Sequence, residues 1–186
     1  MGLKPVSGKI GVVGTGVIGA SWAALFLANG FDVAATDPAD GAETRLRALV
    51  DRFWPALERI GLAEGASRER LRFDPDVIRA LAGCVFIQEN GPERIDVKRD
   101  LLAKISAAVP SDSLIATSSS GILISDIQNA ATYPERVLLG HPFNPAHLMP
   151  LVEVVTPYTY CVVWKTWLVP TEERTAFWVS TWSSPS

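Results

Sequence analysis

Residues 9–38 read KIGVVGTGVIGASWAALFLANGFDVAATDP, and this stretch decides the fold. Ile10–Val13 is a short apolar run suited to a buried parallel strand. Gly14 permits a tight turn out of it, Gly16 lets the backbone approach a pyrophosphate, and Gly19 lets the following helix pack close to the strand. That helix starts at Val17 and Ile18, and its N-terminal N–H groups and positive dipole end face the phosphates. A second apolar segment ends in Asp37, about 20 residues beyond the glycines, where a carboxylate reaches both hydroxyls of a ribose. A glycine-rich turn alone would be an ordinary surface feature; strand, turn, helix, strand and terminal acid in that order describe a dinucleotide site.

Charge selects among dinucleotides. A 2′-phosphate would be repelled by Asp37 and would need a neighbouring base, yet Pro38, Ala39, Asp40 and Gly41 follow, with no base before Arg45. NAD is therefore expected rather than NADP, while an FAD-type unit shares the same fingerprint and stays open on these residues alone.

Downstream, hydrophobic and turn signals alternate. Asp40 and Glu43 have capping-box spacing ahead of a long amphipathic helix carrying Leu46, Leu49, Val50, Phe53, Leu57 and Ile60, with Pro55 kinking it near Trp54 and Gly61 stopping it. Strands are expected at Leu71–Phe73, Cys84–Gln88, Leu114–Thr117 and Val137–His141, with a further apolar run at Leu151–Val155. Helices are expected over Asp76–Leu81, Ile95–Ala108 and Ile124–Asn129. The alternation predicts an α/β fold: a doubly wound, mainly parallel Rossmann-type sheet with helices on both faces. The domain should run over residues 8–157; residues 158–186 hold four of the six tryptophans and show no helical or strand period.

With 48% hydrophobic residues the chain can bury a real core, and its net charge of −3 offers no basic field for nucleic acid or anionic lipid. No stretch has the length and purity of a membrane span, and residues 1–11 lack both the apolar core of a signal peptide and a myristoylation pattern. Cys84 opens the apolar run CVFIQ, where a buried strand residue is expected rather than a nucleophile; Cys84 and Cys161 with two histidines make no metal set. A reduced, cytoplasmic protein without a bound metal is the expectation.

Only His141 and His147 can supply an imidazole. His141 ends a strand, where open α/β sheets place ligands, and Glu153 sits in the next apolar run. Oxidising an alcohol by hydride transfer needs a base for the hydroxyl proton, and a carboxylate behind an imidazole favours the cation that forms. Spacing alone also accommodates a merely buried His141 and a solvent-facing Glu153.

Three segments in order, GTGVIGASW (14–22), QENGPERIDVK (88–98) and GHPFNPAHLMPLVEVV (140–155), resemble the 3-hydroxyacyl-CoA dehydrogenase superfamily, within it the branch of L-carnitine dehydrogenase, L-gulonate dehydrogenase and lambda-crystallin. The resemblance covers about Lys9 to Thr156. It implies an NAD-dependent oxidation of the 3-hydroxyl of an L-3-hydroxyacyl-CoA or a small L-3-hydroxy acid such as carnitine. It also implies His141 as general base or acid, Glu153 as its orienting carboxylate, Ser120 on the substrate hydroxyl and Asn144 near the reacting centre. Asn90, Glu93 and Lys98 fall where the family contacts the nicotinamide half of NAD, although Glu93 and Lys98 read equally as a charged helix surface. His147 has no counterpart role and is expected on a surface or loop. Family members continue into a helical C-terminal domain that completes the substrate cleft and forms a homodimer, whereas residues 158–186 do not resemble it; a truncated or frameshifted reading frame is the expectation. An NAD-holding fragment without turnover and a crystallin-like structural protein are the competing readings.

Overall fold

A computed structural model of the chain describes residues 8–149 and 151–156; the tryptophan-rich stretch singled out above lies outside them. In chain order the elements are β1 (Lys9–Val13), α1 (Val17–Ala28), β2 (Asp32–Thr36), α2 (Ala42–Ile60), β3 (Leu71–Phe73), α3 (Val77–Leu81), β4 (Cys84–Glu89), α4 (Ile95–Ala108), β5 (Leu114–Thr117), α5 (Ile124–Ile127), β6 (Val137–Pro142) and β7 (Val152–Val155). The seven strands form one sheet in the order β3-β2-β1-β4-β5-β6-β7. All neighbours are parallel except β6 and β7, which are antiparallel. From β1 the chain winds outward to β2 and β3, then returns to β4 on the other side. The strand ends beside β1 and β4 are therefore the point where the topology reverses and a crevice opens.

The strands are buried on both faces, so neighbouring residues feed two different cores. Val12, Ala35, Phe86, Ala116 and Leu138 join α1 and α2 in one cluster, while Val13, Ala34, Ile87, Ile115 and Val137 join Leu81, Leu102, Ile105 and Ile127 in the other. Helix α1 is apolar all round because it lies between the sheet and α2, and every residue from Gly19 to Ala28 is buried. Helix α2 buries a stripe through Leu46, Val50, Trp54 and Leu57, leaving Ile60 exposed.

Two local expectations change. The Asp40–Glu43 capping box does not form: Gly41 takes the N-cap at φ 70°, so the helix starts one residue later than Asp40 would set it. Glu43 instead bonds Arg47 one turn on, and the Asp40 carbonyl accepts from the Arg45 guanidinium. The Ile124–Asn129 helix is also shorter, because the chain tightens into a 3-10 turn over Gln128–Ala130. Helix α2 continues through Pro55 and ends where the Gly61 N–H bonds the Leu57 carbonyl. Among the described residues no helix is long and apolar enough to cross a membrane.

Candidate active site

The first wall of the crevice is the glycine turn. Gly14 leaves β1 at φ 79°, and a Cβ there would fall 2.7 Å from the Asn90 carbonyl oxygen, so both the conformation and the close approach require glycine. A Cβ on Gly19 would sit 1.9 Å from the Gly14 carbonyl oxygen, which locks α1 directly onto the turn. Gly16 differs: a Cβ there meets no protein atom within 4 Å. The fold itself does not ask for that glycine; open space beside the N-terminus of a buried helix fits the phosphates of a dinucleotide. Val17 and Ile18 project their apolar side chains outward at the same helix end.

Asp37 is fixed toward this turn. Its carboxylate accepts from the Thr15 backbone N–H at 2.8 Å and hydroxyl at 3.1 Å, and from the Ala39 N–H at 3.0 Å. A half-buried carboxylate held in this way at the end of β2 is placed to accept from a ribose and to repel a second phosphate. Thr15, the residue that orients it, lies inside the glycine signature and escaped the reading of the sequence.

The second wall is built by β4, the start of α4 and the turn after β5. Lys98 is not a surface charge: it is 1% exposed, and its ammonium lies 2.9 Å from the carboxylate of Glu89, itself 0% exposed. The Glu89 carboxylate also accepts from the Thr117 hydroxyl and the Gly91 N–H, so each buried charge has its hydrogen bonds satisfied. Glu93 lies 3.6 Å from the same ammonium. Its Oε1 accepts from the Ser119 hydroxyl (2.6 Å) and from the backbone N–H groups of Ser120 (2.9 Å) and Gly121 (2.8 Å). Burial pushes the Glu93 carboxyl up, but those three donors and the Lys98 charge outweigh it and hold the group below its ordinary range. One carboxylate therefore shapes the turn that carries Ser120, whose side chain is exposed. Asn90 is anchored by its neighbours, its amide donating to the Gln88 carbonyl and accepting from the Ser118 hydroxyl. Glu89, absent from the residues singled out by sequence, was legible only as the acid ending a buried strand.

The third group stands at β6 and β7. Antiparallel register places His141 directly across from Glu153, with Nδ1 3.6 Å from a carboxylate oxygen. That separation is longer than a hydrogen bond. The side chains are 27% and 41% exposed, so Glu153 is neither buried nor turned away from the histidine. Thr117 of β5 pairs in register with Leu139 of β6, so Ser120, just past the end of β5, and His141, in the last pleat of β6, stand at the same end of the sheet. Asn144 is exposed in the segment that follows.

His147 lies in the loop expected for it, but not at the surface. It is buried at 7% exposure, stacks on Phe53 with ring centroids 4.2 Å apart, and meets Ser21 of α1. A ring stack from α2 and a hydrogen-bonding hydroxyl from α1, invisible in a local reading of PAHLM, draw it inward. Cys84 is fully buried as expected, and burial pushes its thiol up to about 11, which removes nucleophilic character at neutral pH. Among the described residues no cluster of side chains could hold a metal ion.

A Rossmann sheet with this crevice defines a dinucleotide-binding domain. Residues 9–160 match the family described as 3-hydroxyacyl-CoA dehydrogenase, NAD binding domain, and the chain belongs to that family. Its cofactor is NAD. L-carnitine dehydrogenase of Streptomyces griseus is 54% identical over 147 residues, covering 79% of this chain and 44% of that protein. The enzyme of the same name from Pseudomonas aeruginosa is 55% identical over 143 residues, 77% of this chain and 44% of that protein. Among solved structures, 3-hydroxybutyryl-CoA dehydrogenase of Escherichia coli K12 superposes with a TM-score of 0.73 at 32% identity, covering 83% of this chain and 33% of that one. The chain thus spans less than half the length of the curated relatives it matches.

Proposed function

We propose that this chain carries the cofactor half and the proton-transfer pair of an NAD-dependent dehydrogenase that oxidises the 3-hydroxyl of a small L-3-hydroxy acid, with L-carnitine as the first candidate. The cross-strand His141–Glu153 pair at the edge of an NAD-binding sheet carries the reading. Gly14, Gly16, Val17, Ile18 and Gly19 form the phosphate cradle, and Asp37 takes the adenosine ribose. Asn90, Glu93 and Lys98 support the nicotinamide end, Lys98 through its hold on Glu89 and Glu93 rather than from the open crevice.

When bound, NAD supplies the hydride acceptor. His141 removes the hydroxyl proton as the C–H bond at the same carbon breaks, leaving a 3-oxo product and an imidazolium. Glu153 is close enough to stabilise that cation without taking its proton. The Ser120 hydroxyl, on the turn set by Glu93, donates to the substrate oxygen, and Asn144 completes the polar mouth. Identity above 50% to two L-carnitine dehydrogenases supports the substrate, against a 3-hydroxyacyl-CoA thioester. A cytoplasmic homodimer belongs to the same proposal.

The test is NADH formation from L-carnitine and from 3-hydroxybutyryl-CoA, with NAD binding followed in parallel. His141→Ala should keep NAD affinity and lose turnover by about 10²-fold or more, the scale of general-base catalysis, with Glu153→Gln losing less. Turnover surviving the histidine change refutes the assignment; NAD binding with no turnover of either substrate by the unaltered chain refutes the activity.

A further inference from the structure

His147 is the second histidine of the HPFNPAH segment, and the chemistry proposed above leaves it without a task. Its backbone N–H donates to the Ser21 hydroxyl oxygen at 2.9 Å, and its ring Nδ1 lies 2.7 Å from the same oxygen. One serine therefore binds both ends of one residue across 126 positions of sequence. With the oxygen accepting from the backbone, the hydroxyl proton remains free to be donated to Nδ1 of a neutral ring. The other face of the ring is covered by Phe53 of α2.

The segment held this way runs from the end of β6 to the start of β7. Past β6, the other bonds seen among the described residues are local: Phe143 N–H to Leu151 O, and Leu148 and Met149 N–H to Pro145 O. Phe143, Leu148 and Met149 are exposed, so past the buried Pro142 that ends β6, Ala146 and the ring of His147 are its deep contacts with the core. We propose that His147 is a positioning residue: wedged between Ser21 of α1 and Phe53 of α2, it seats residues 142–149 on the cofactor-side helices, fixes the backbone that presents Asn144, and is released by acid. The consequence for catalysis rests on the function proposed above; the seating itself does not.

Acid acts because the niche offers a cation nothing to pair with. Helix α1 carries no charged residue, and on α2 the charged residues nearest Phe53 in sequence are Asp51 and Arg52, both exposed, with Asp51 paired to Arg68. The segment has no other titratable group, and the flanking strands contribute only His141 and Glu153, which pair with each other. Burial accordingly pushes the His147 pKa below its ordinary value of 6.5. A protonated ring would turn Nδ1 from acceptor into donor and would bury an unpaired charge.

The experiment is amide hydrogen exchange on the full chain, as protection factors for Phe143, His147, Leu148 and Met149 relative to strand β4, followed from about pH 7.5 to pH 5 around the ordinary histidine range. Wild type should lose segment protection on acidification while β4 keeps its own. His147→Asn places a non-titrating acceptor near the Nδ1 position, and should remove that pH dependence while leaving NAD affinity within about twofold. Ser21→Ala should lower segment protection by about tenfold even at neutral pH, since it orphans a buried N–H. In a chain that turns over substrate, Ser21→Ala should also raise KM more than it lowers kcat. Wild-type protection that ignores pH, or a His147→Asn chain that keeps the acid response, overturns the proposal whether or not Ser21→Ala folds. Absence of turnover in wild type refutes the dehydrogenase reading and leaves the exchange result to decide this one.

Discussion

Replacing Lys98 by Met probes the least visible part of the site. The ammonium at 1% exposure meets both Glu89 oxygens at 2.9 and 3.2 Å, with the Thr117 hydroxyl and the Gly91 carbonyl each at 3.4 Å. Met fills similar volume and removes the charge, leaving a carboxylate at 0% exposure held only by the Gly91 N–H and the Thr117 hydroxyl. Breaking a buried pair from one side costs about 3–5 kcal/mol. With a urea dependence of about 2 kcal/mol per molar, the unfolding midpoint should drop by about 2 M. Adding Glu89→Gln should recover most of the stability, because the amide oxygen still accepts from Gly91 and its NH₂ donates to Thr117. A Lys98→Met chain within about 1 kcal/mol of wild type, or a double variant whose loss is the sum of the single ones, would refute the argument; contacting, coupled residues should depart from additivity by about 0.5–3 kcal/mol.

Gly16→Ala and Gly19→Ala should separate cofactor binding from folding: the former keeps the unfolding midpoint and loses NAD affinity by about tenfold or more, about 1.4 kcal/mol, while the latter lowers the midpoint because its Cβ falls 1.9 Å from the Gly14 oxygen. Titration of both cofactors should show NAD preferred, and Asp37→Ser with Pro38→Arg should move the preference toward NADP. Glu93, whose pKa lies below 4.5, stabilises the fold fully above that pH and progressively less as pH falls through the folded pKa; Glu93→Gln should flatten this acid limb in urea titrations and weaken the order of the Ser120 turn.

The sheet was legible because its signals are local. Gly19 and Asp37 each answer a demand made within one βαβ unit, as does the left-handed turn at Gly14, and the apolar runs at Leu71–Phe73 and Leu114–Thr117 coincide with β3 and β5. The His141–Glu153 pairing was suggested by strand ends and family resemblance, but its cross-strand register belongs to the assembled sheet. The partners that matter most to the second wall are distant. Glu89 and Lys98 are separated by a turn, Thr117 comes from another strand, and Ser21 and His147 stand at opposite ends of the described chain. Local pattern misled at Asp40, where the spacing of a cap was present but the left-handed Gly41 set the helix start.

The antiparallel step from β6 to β7 turns loop length into a code. Glu153 faces His141 because the 143–151 connection delivers β7 in one register. Sliding β7 by one residue would turn Glu153 to the opposite side of the sheet, and sliding it by two would restore the side but carry the carboxylate about 7 Å along the strand. A residue inserted or deleted in that connection and passed on to the strand would therefore reach the pair directly. The span between the histidine and the glutamate is thus a ruler, and its length is as much a part of the chemistry as either side chain.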